Sequence, residues 1–143
     1  MKRNVFLRKA ISLAMCMTFA LAFFTGCDSG DDSKGGRDGF IGTWKITTER
    51  VGTVLTDSDY TTNITKSSTN SSDILINNIL NFGAEYTVSA TVNGNSFTIP
   101  QQSVQGIGFS GSGVRNGNSM SYSVQVTATG SAIVNWTVEC IKM

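Results

Sequence analysis

The chain has no histidine, a single proline (Pro100) and only three cysteines in 143 residues. Without histidine it lacks both the usual general base near neutral pH and the commonest metal ligand. Three cysteines make neither a disulfide framework nor a zinc cluster. Two of them, Cys16 and Cys27, belong to the N-terminal region, which leaves Cys140 as the one thiol of the domain that follows. Cys140 sits in an alternating apolar run and reads as a core residue. Charge is also sparse, at 15% of residues. The densest basic stretch, Lys45 to Arg50, is interrupted by Glu49, whereas nucleic-acid binding wants a clustered basic footprint. No nucleic-acid partner is expected. The longest apolar stretch, from Ala10 to Phe24, contains Thr18 and falls short of the roughly 20 apolar residues of a spanning helix.

What is present begins with a basic head, Lys2, Arg3, Arg8 and Lys9, followed by that apolar stretch and then Thr25-Gly26-Cys27. Basic, apolar, then small is the layout of a secretory signal over residues 1–26. Its ending resembles the lipobox of bacterial lipoproteins, with Phe24 where leucine is usual. That resemblance implies that Cys27 becomes the first mature residue and carries fatty acyl chains such as palmitate, so that membrane lipid is a partner through Cys27. Two or more chains suffice for stable anchoring. Removal of residues 1–26 leaves seven basic and ten acidic residues, a net charge of −3 in place of the precursor's +1. Residues 28–39 contain no apolar side chain and four glycines, so ordering them would cost entropy without burial in return. Lipidated Cys27 and this run form a tether over 27–39 with an extended reach of about 40 Å. Asp28, Asp31 and Asp32 resemble the acidic export signal of Bacteroidetes surface lipoproteins, which implies display at the cell surface. The periplasmic face of the outer membrane is the alternative.

Residues 40–143 have a β texture throughout. Trp44 and Ile46 share a face of a first strand. Tyr60 to Ser67 is threonine-rich, with Ile64 its only aliphatic residue. Tyr86, Val88, Ala90 and Val92 alternate with Thr87, Ser89, Thr91 and Asn93, the period of a half-buried strand. Asn93-Gly94 and Asn116-Gly117 supply hairpin turns. Tyr122, Val124, Val126 and Ala128 form one later apolar face, and Val134, Trp136, Val138 and Cys140 the last. Pro100 to Gln102 reads as a bend or sheet margin, since a central strand should not run through proline. For Asp73 to Gly83 a strand followed by a loop is preferred over a short helix capped by Ser72. Seven or eight short strands joined by tight turns predict an all-β antiparallel up-and-down barrel, with a β-sandwich as the alternative.

Gly42-Thr43-Trp44 at the start of such a domain resembles the glycine-x-tryptophan element of calycins, the lipocalin and avidin type of barrel. The resemblance implies that Trp44 closes one barrel end and that Gly42 lets it approach closely. Residues 86–102 and 107–114 are similar to small Bacteroidetes lipoproteins with a calycin-like barrel.

No chemical site stands out. Asp57 and Asp59 sit in a polar turn without the further oxygen ligands of a calcium loop, and Asp73, Glu85 and Glu139 are isolated. Ser110-Gly111-Ser112-Gly113 has no Gly-Lys-Ser ending and is not a phosphate loop. Gln101 and Gln102 are candidates to line a rim. The expected function is a membrane-anchored, non-catalytic binding module for a protein, glycan or small ligand, with no metal or cofactor. A structural subunit of an outer-membrane complex with a solid-packed barrel is the alternative. A hydrolase built on Asp57, Asp59, Glu85 or Glu139 is a remote third.

Overall fold

A computed structural model of the chain describes residues 35–56 and 59–143. The signal segment, Cys27, most of the tether and Asp57 lie outside the described residues. Nine antiparallel strands form one sheet: β1 (Gly42–Val51), β2 (Val54–Leu55), β3 (Thr61–Lys66), β4 (Asp73–Asn77), β5 (Thr87–Asn93), β6 (Ser96–Val104), β7 (Ile107–Asn116), β8 (Ser119–Ala128) and β9 (Val134–Lys142). From β3 onward each strand pairs with the next in sequence, and β1 pairs with both β3 and β9. Eight strands therefore close an up-and-down barrel, and β2 is a short extra strand on β1. The barrel, not the sandwich, is the fold. Closure pairs the edges that an open sheet would leave exposed.

The alternation in the sequence becomes the inside and outside of the wall. Along β8 each residue from Ser119 to Val126 switches between exposed and buried. Ile46, Ile64, Ile74, Val88, Ile99, Val124 and Val138 point inward from seven strands and are almost wholly buried. Apolar inside and polar outside is the reverse of a membrane-spanning barrel. Two hairpins turn at Gly94 and Gly117, where φ is 60° and 59°, a region that glycine occupies at no steric cost.

Three expectations are refined or corrected. Asp73 to Gly83 is a strand followed by a single 3-10 turn at Ile79–Asn81, so the strand-and-loop reading holds. Pro100 to Gln102 is not a margin. β6 runs on to Val104, absorbs the proline in a register shift between Ile99 and Gln102, and turns only at Gln105-Gly106. A bulge tolerates a residue that cannot donate to the ladder. Finally, Arg37–Phe40, most of it assigned to the tether, forms a helical turn, α1, that brings Phe40 into the core. Asp38 pairs with Lys66 at 2.7 Å, and Arg37 donates to the Asn70 carbonyl at 3.1 Å.

Both ends of the barrel carry packed side chains. At the α1 end, the Trp44 indole N–H donates to the Phe40 carbonyl at 2.7 Å. Phe40 meets Phe97 edge-on at 5.5 Å, and Arg115 lies over the Phe40 ring. At the opposite end, the loop after β4 delivers Phe82 to Tyr86, Phe109 and Trp136, with ring centroids 5.6 to 6.1 Å from Phe82.

Candidate functional site

The wall of the barrel decides what chemistry is available inside it. β1 carries a register shift between Ile46 and Thr48 against β9. One added residue turns the following side chains through the sheet, so Glu49, outward by simple alternation from Trp44 and Ile46, points inward and is only 4% exposed. Thr56 Oγ1 donates to Glu49 Oε1 at 2.6 Å, and Tyr60 Oη donates to Glu49 Oε2. Two donors on a buried carboxylate repay part of its desolvation.

Tyr122 and Cys140 complete this polar group. Burial pushes the Tyr122 phenol far above the usual tyrosine range, and the neighbouring Cys140 and Glu49 push it further. Burial, then Tyr122 and Glu49, hold Tyr60 up in the same way. The Cys140 thiol is pushed up to about 12 by burial, so it is protonated near neutral pH and a poor nucleophile. Its sulfur lies 3.5 Å from the Met120 carbonyl oxygen. Glu49, Thr56, Tyr60, Tyr122 and Cys140 thus gather one carboxyl group, three hydroxyls and a thiol, with the carboxyl oxygens bonded to Thr56 and Tyr60.

The two phenols differ in one measurable respect: Tyr60 donates to a carboxylate, whereas the buried Tyr122 hydroxyl has no hydrogen-bond partner among the described residues. Tyr60→Phe should lower stability by about 1.5 to 3 kcal/mol, and Tyr122→Phe should leave it unchanged or raise it by about 1 kcal/mol. Urea unfolding of both variants checks this. Equal losses in the two would mean that the Tyr122 hydroxyl has a partner after all.

The outer wall is different in kind. Between Ser96 and Ala128 the only charged residue is Arg115, and it is buried. Serines, threonines and glutamines face outward there, and three shallow depressions lie on this wall. One, of about 430 Å³, lies at the Phe82 end beside Ser110, Gln125 and Thr127. A second, of about 440 Å³, is lined by Thr98, Ser112, Ser123 and Thr137. The third, of about 280 Å³, lies between Val114, Ser121 and Ile141.

The residues singled out from the sequence fall as follows. Trp44 is fully buried at the α1 end with Lys142 over its ring at 5.6 Å, and a Cβ on Gly42 (φ 130°) would lie 3.3 Å from the Lys142 side chain. Cys27 and Asp57 are outside the described residues. Asp59 pairs loosely with Lys45 at 3.6 Å and is exposed. Asp73 accepts from Thr91 at 2.8 Å. Glu85 is exposed in the loop before β5, and Glu139 is exposed on β9. The structure does not bring these carboxylates together, and among the described residues no set of acidic or cysteine side chains could hold a metal. Gln101 is exposed on the wall, while Gln102 turns to the β5 backbone. Ser110 to Gly113 is mid-strand in β7. Glu49 was the residue missed, because no sequence signal marks the bulge that turns it inward. Compared with protein-family models, with curated proteins and with solved structures, the chain matched none.

Proposed function

We propose that the protein is a lipid-anchored, non-catalytic binding module of the outer-membrane surface, meeting a protein or glycan partner through the outer wall of β6 to β9. The observation that carries this reading is the filled interior. Core side chains and the plugs at both ends occupy the space that a ligand-carrying barrel would keep open. Contact then falls to the outer wall, whose hydroxyl and amide groups suit a hydrogen-bonding partner, with Glu139 on β9 as its exposed charge. Small lipoproteins with calycin-like barrels are the family that the sequence resembles, and an anchor at Cys27 would leave the chain to enter the domain at the α1 end. The second reading, a structural subunit of a larger complex, draws on the same packed interior and differs in expecting a fixed stoichiometry.

One experiment tests anchor and wall together, using the full chain in its own membrane. Cys27→Ser should release the protein from the membrane fraction. Native mass spectrometry of gently extracted wild-type protein should show a non-covalent partner mass that disappears on denaturation. Ser123→Arg should keep the anchor and lose that mass, whereas the interior variant Tyr122→Phe should keep both. Loss of the partner in Tyr122→Phe alone would place binding inside the barrel, and a bare monomer in every sample would sink the binding-module reading. A constant integer stoichiometry would favour the structural subunit.

A further inference from the structure

We propose that the barrel opens locally along the seam between β5 and β6, with the Gln102 side chain as the latch that holds this seam shut. Backbone pairing across it is brief. β5 and β6 pair only between Thr91–Asn93 and Ser96–Thr98, whereas β7 and β8 pair along their whole length, from Ile107 against Ala128 to Asn116 against Ser119. Beyond Thr98 the ladder meets Pro100, which has no N–H to donate, and then the register shift between Ile99 and Gln102.

Ser89 stands where the ladder would have continued, and its backbone is served by a side chain instead. Its N–H donates to Gln102 Oε1 at 2.9 Å, and its carbonyl accepts from Gln102 Nε2 at 2.7 Å. One carboxamide thus supplies the acceptor and the donor that a facing residue of β6 would have supplied. The same Nε2 lies 3.1 Å from the Pro100 carbonyl, which steadies the amide across the bulge. A peptide group within a strand is held by the chain on both sides. A side-chain amide is held only by its own torsions and leaves by rotating them, without disturbing the β6–β7 pairs Gln102–Phe109 and Ser103–Gly108. The other edge of β5 is conventional. Tyr86 and Val92 bond on the β4 side, so by alternation Val88 and Ala90 do too, opposite Ile76 and Ile74. Behind the seam, Tyr86 and Phe109 meet at 6.4 Å. Release of the latch gives solvent a path to the aromatic cluster at the Phe82 end, a minor state of the kind from which cryptic sites arise.

Native-state amide hydrogen exchange on the wild-type protein and on Gln102→Leu tests the latch. In the wild type, the Ser89 amide should exchange at least roughly 100-fold faster than that of Val124 in mid-β8, with little dependence on low urea concentrations, the mark of a local opening. In Gln102→Leu, Ser89 should exchange a further tenfold or so faster, while Val124 changes only by the loss of global stability. Ser89 exchanging at the rate of Val124 with the same urea dependence would overturn the proposal, since the seam would then open only with the whole barrel. An unchanged Ser89 rate in a folded Gln102→Leu protein would overturn the latch. Should that variant fail to fold, the urea dependence of the wild type decides the matter alone.

Discussion

Raising the pH from 8 to 11 should lower the stability of this protein by roughly 4 kcal/mol. Two groups drive the effect with little exposure to water: the Tyr122 phenol and the Cys140 thiol, 3% and 2% exposed by residue. Both keep their protons in the folded barrel above their ordinary values, the phenol far above its usual 10.0 and the thiol up to about 12 from its usual 9.0. In the unfolded chain the thiol ionises from about pH 9 and the phenol from about pH 10. The unfolded state then binds fewer protons than the native one, so stability falls as pH rises, by about 1.4 kcal/mol per pH unit for each group. The contribution is fully present below pH 9 and is lost above it, ending near pH 12 for the thiol and later for the phenol. By pH 11 the two together cost roughly 4 kcal/mol, against a total of about 5 to 15 kcal/mol for a typical domain. Tyr60 acts in the same direction, but it is only partly buried and its share is screened by water. Urea unfolding at several pH values reads the slope directly. Cys140→Ala should remove the loss that begins near pH 9, and Tyr122→Phe the part that begins near pH 10. A flat profile in the wild type would show that both groups ionise freely in the native state, and the buried cluster would have to be redrawn.

Gly111→Ala should cost about 3 kcal/mol or more, the most damaging single methyl group among the glycines of β7. Gly111 pairs with Ile99 on one side and Val124 on the other. A Cβ there would lie 2.1 Å from the Ser123 carbonyl oxygen and 3.1 Å from the Val124 Cα. These are backbone atoms, so no rotamer change relieves the clash, and β7 must pull away from β8. The neighbours grade the effect. At Gly113 a Cβ meets the Phe97 ring at 2.4 Å and the Tyr122 Cβ at 2.6 Å, which costs about 1 to 3 kcal/mol of repacking. At Gly108 the nearest atom is 3.4 Å away. That is ordinary contact, and Gly108→Ala should fall within about 1 kcal/mol of wild type in either direction. Melting temperatures of the three alanine variants, in the order 108, 113, 111 from mildest to worst, check the argument. Equal effects at 108 and 111 would mean that close strand approach is not what requires glycine.

Much of the architecture is legible in the chain because it follows from local rules. Period-two alternation at Tyr86 to Asn93 and from Tyr122 to Val126 assigns strands and faces, since side chains leave a strand to alternate sides. The glycines of Asn93-Gly94 and Asn116-Gly117 locate hairpins because glycine turns there at no steric cost. Strands without helices, joined by tight turns, predict an up-and-down sheet, and the expectation of a closed barrel agrees with the β1–β9 pairing.

The candidate sites were less legible, because they depend on register between strands that are distant in sequence. Pro100 reads as a break when taken alone. In the barrel it lies in a bulge, where Gln102 reaches Ser89, thirteen residues away, and its amide supplies to the Ser89 carbonyl the donor that proline lacks. Glu49 reads as an outward residue of a charged stretch. One irregularity opposite Cys140 and Glu139 turns it into the barrel, where Thr56 and Tyr60 receive it. By itself the sequence determined most of the strands and the two Asn-Gly hairpins, since alternation and turn geometry involve only residues within a few positions of each other, whereas the run of β6 through Pro100 to the turn at Gln105-Gly106 did not show in it. Only the tertiary structure decided that the barrel is plugged at both ends and that a carboxylate lies inside it, because a register shift is set by pairing between strands and leaves no local mark.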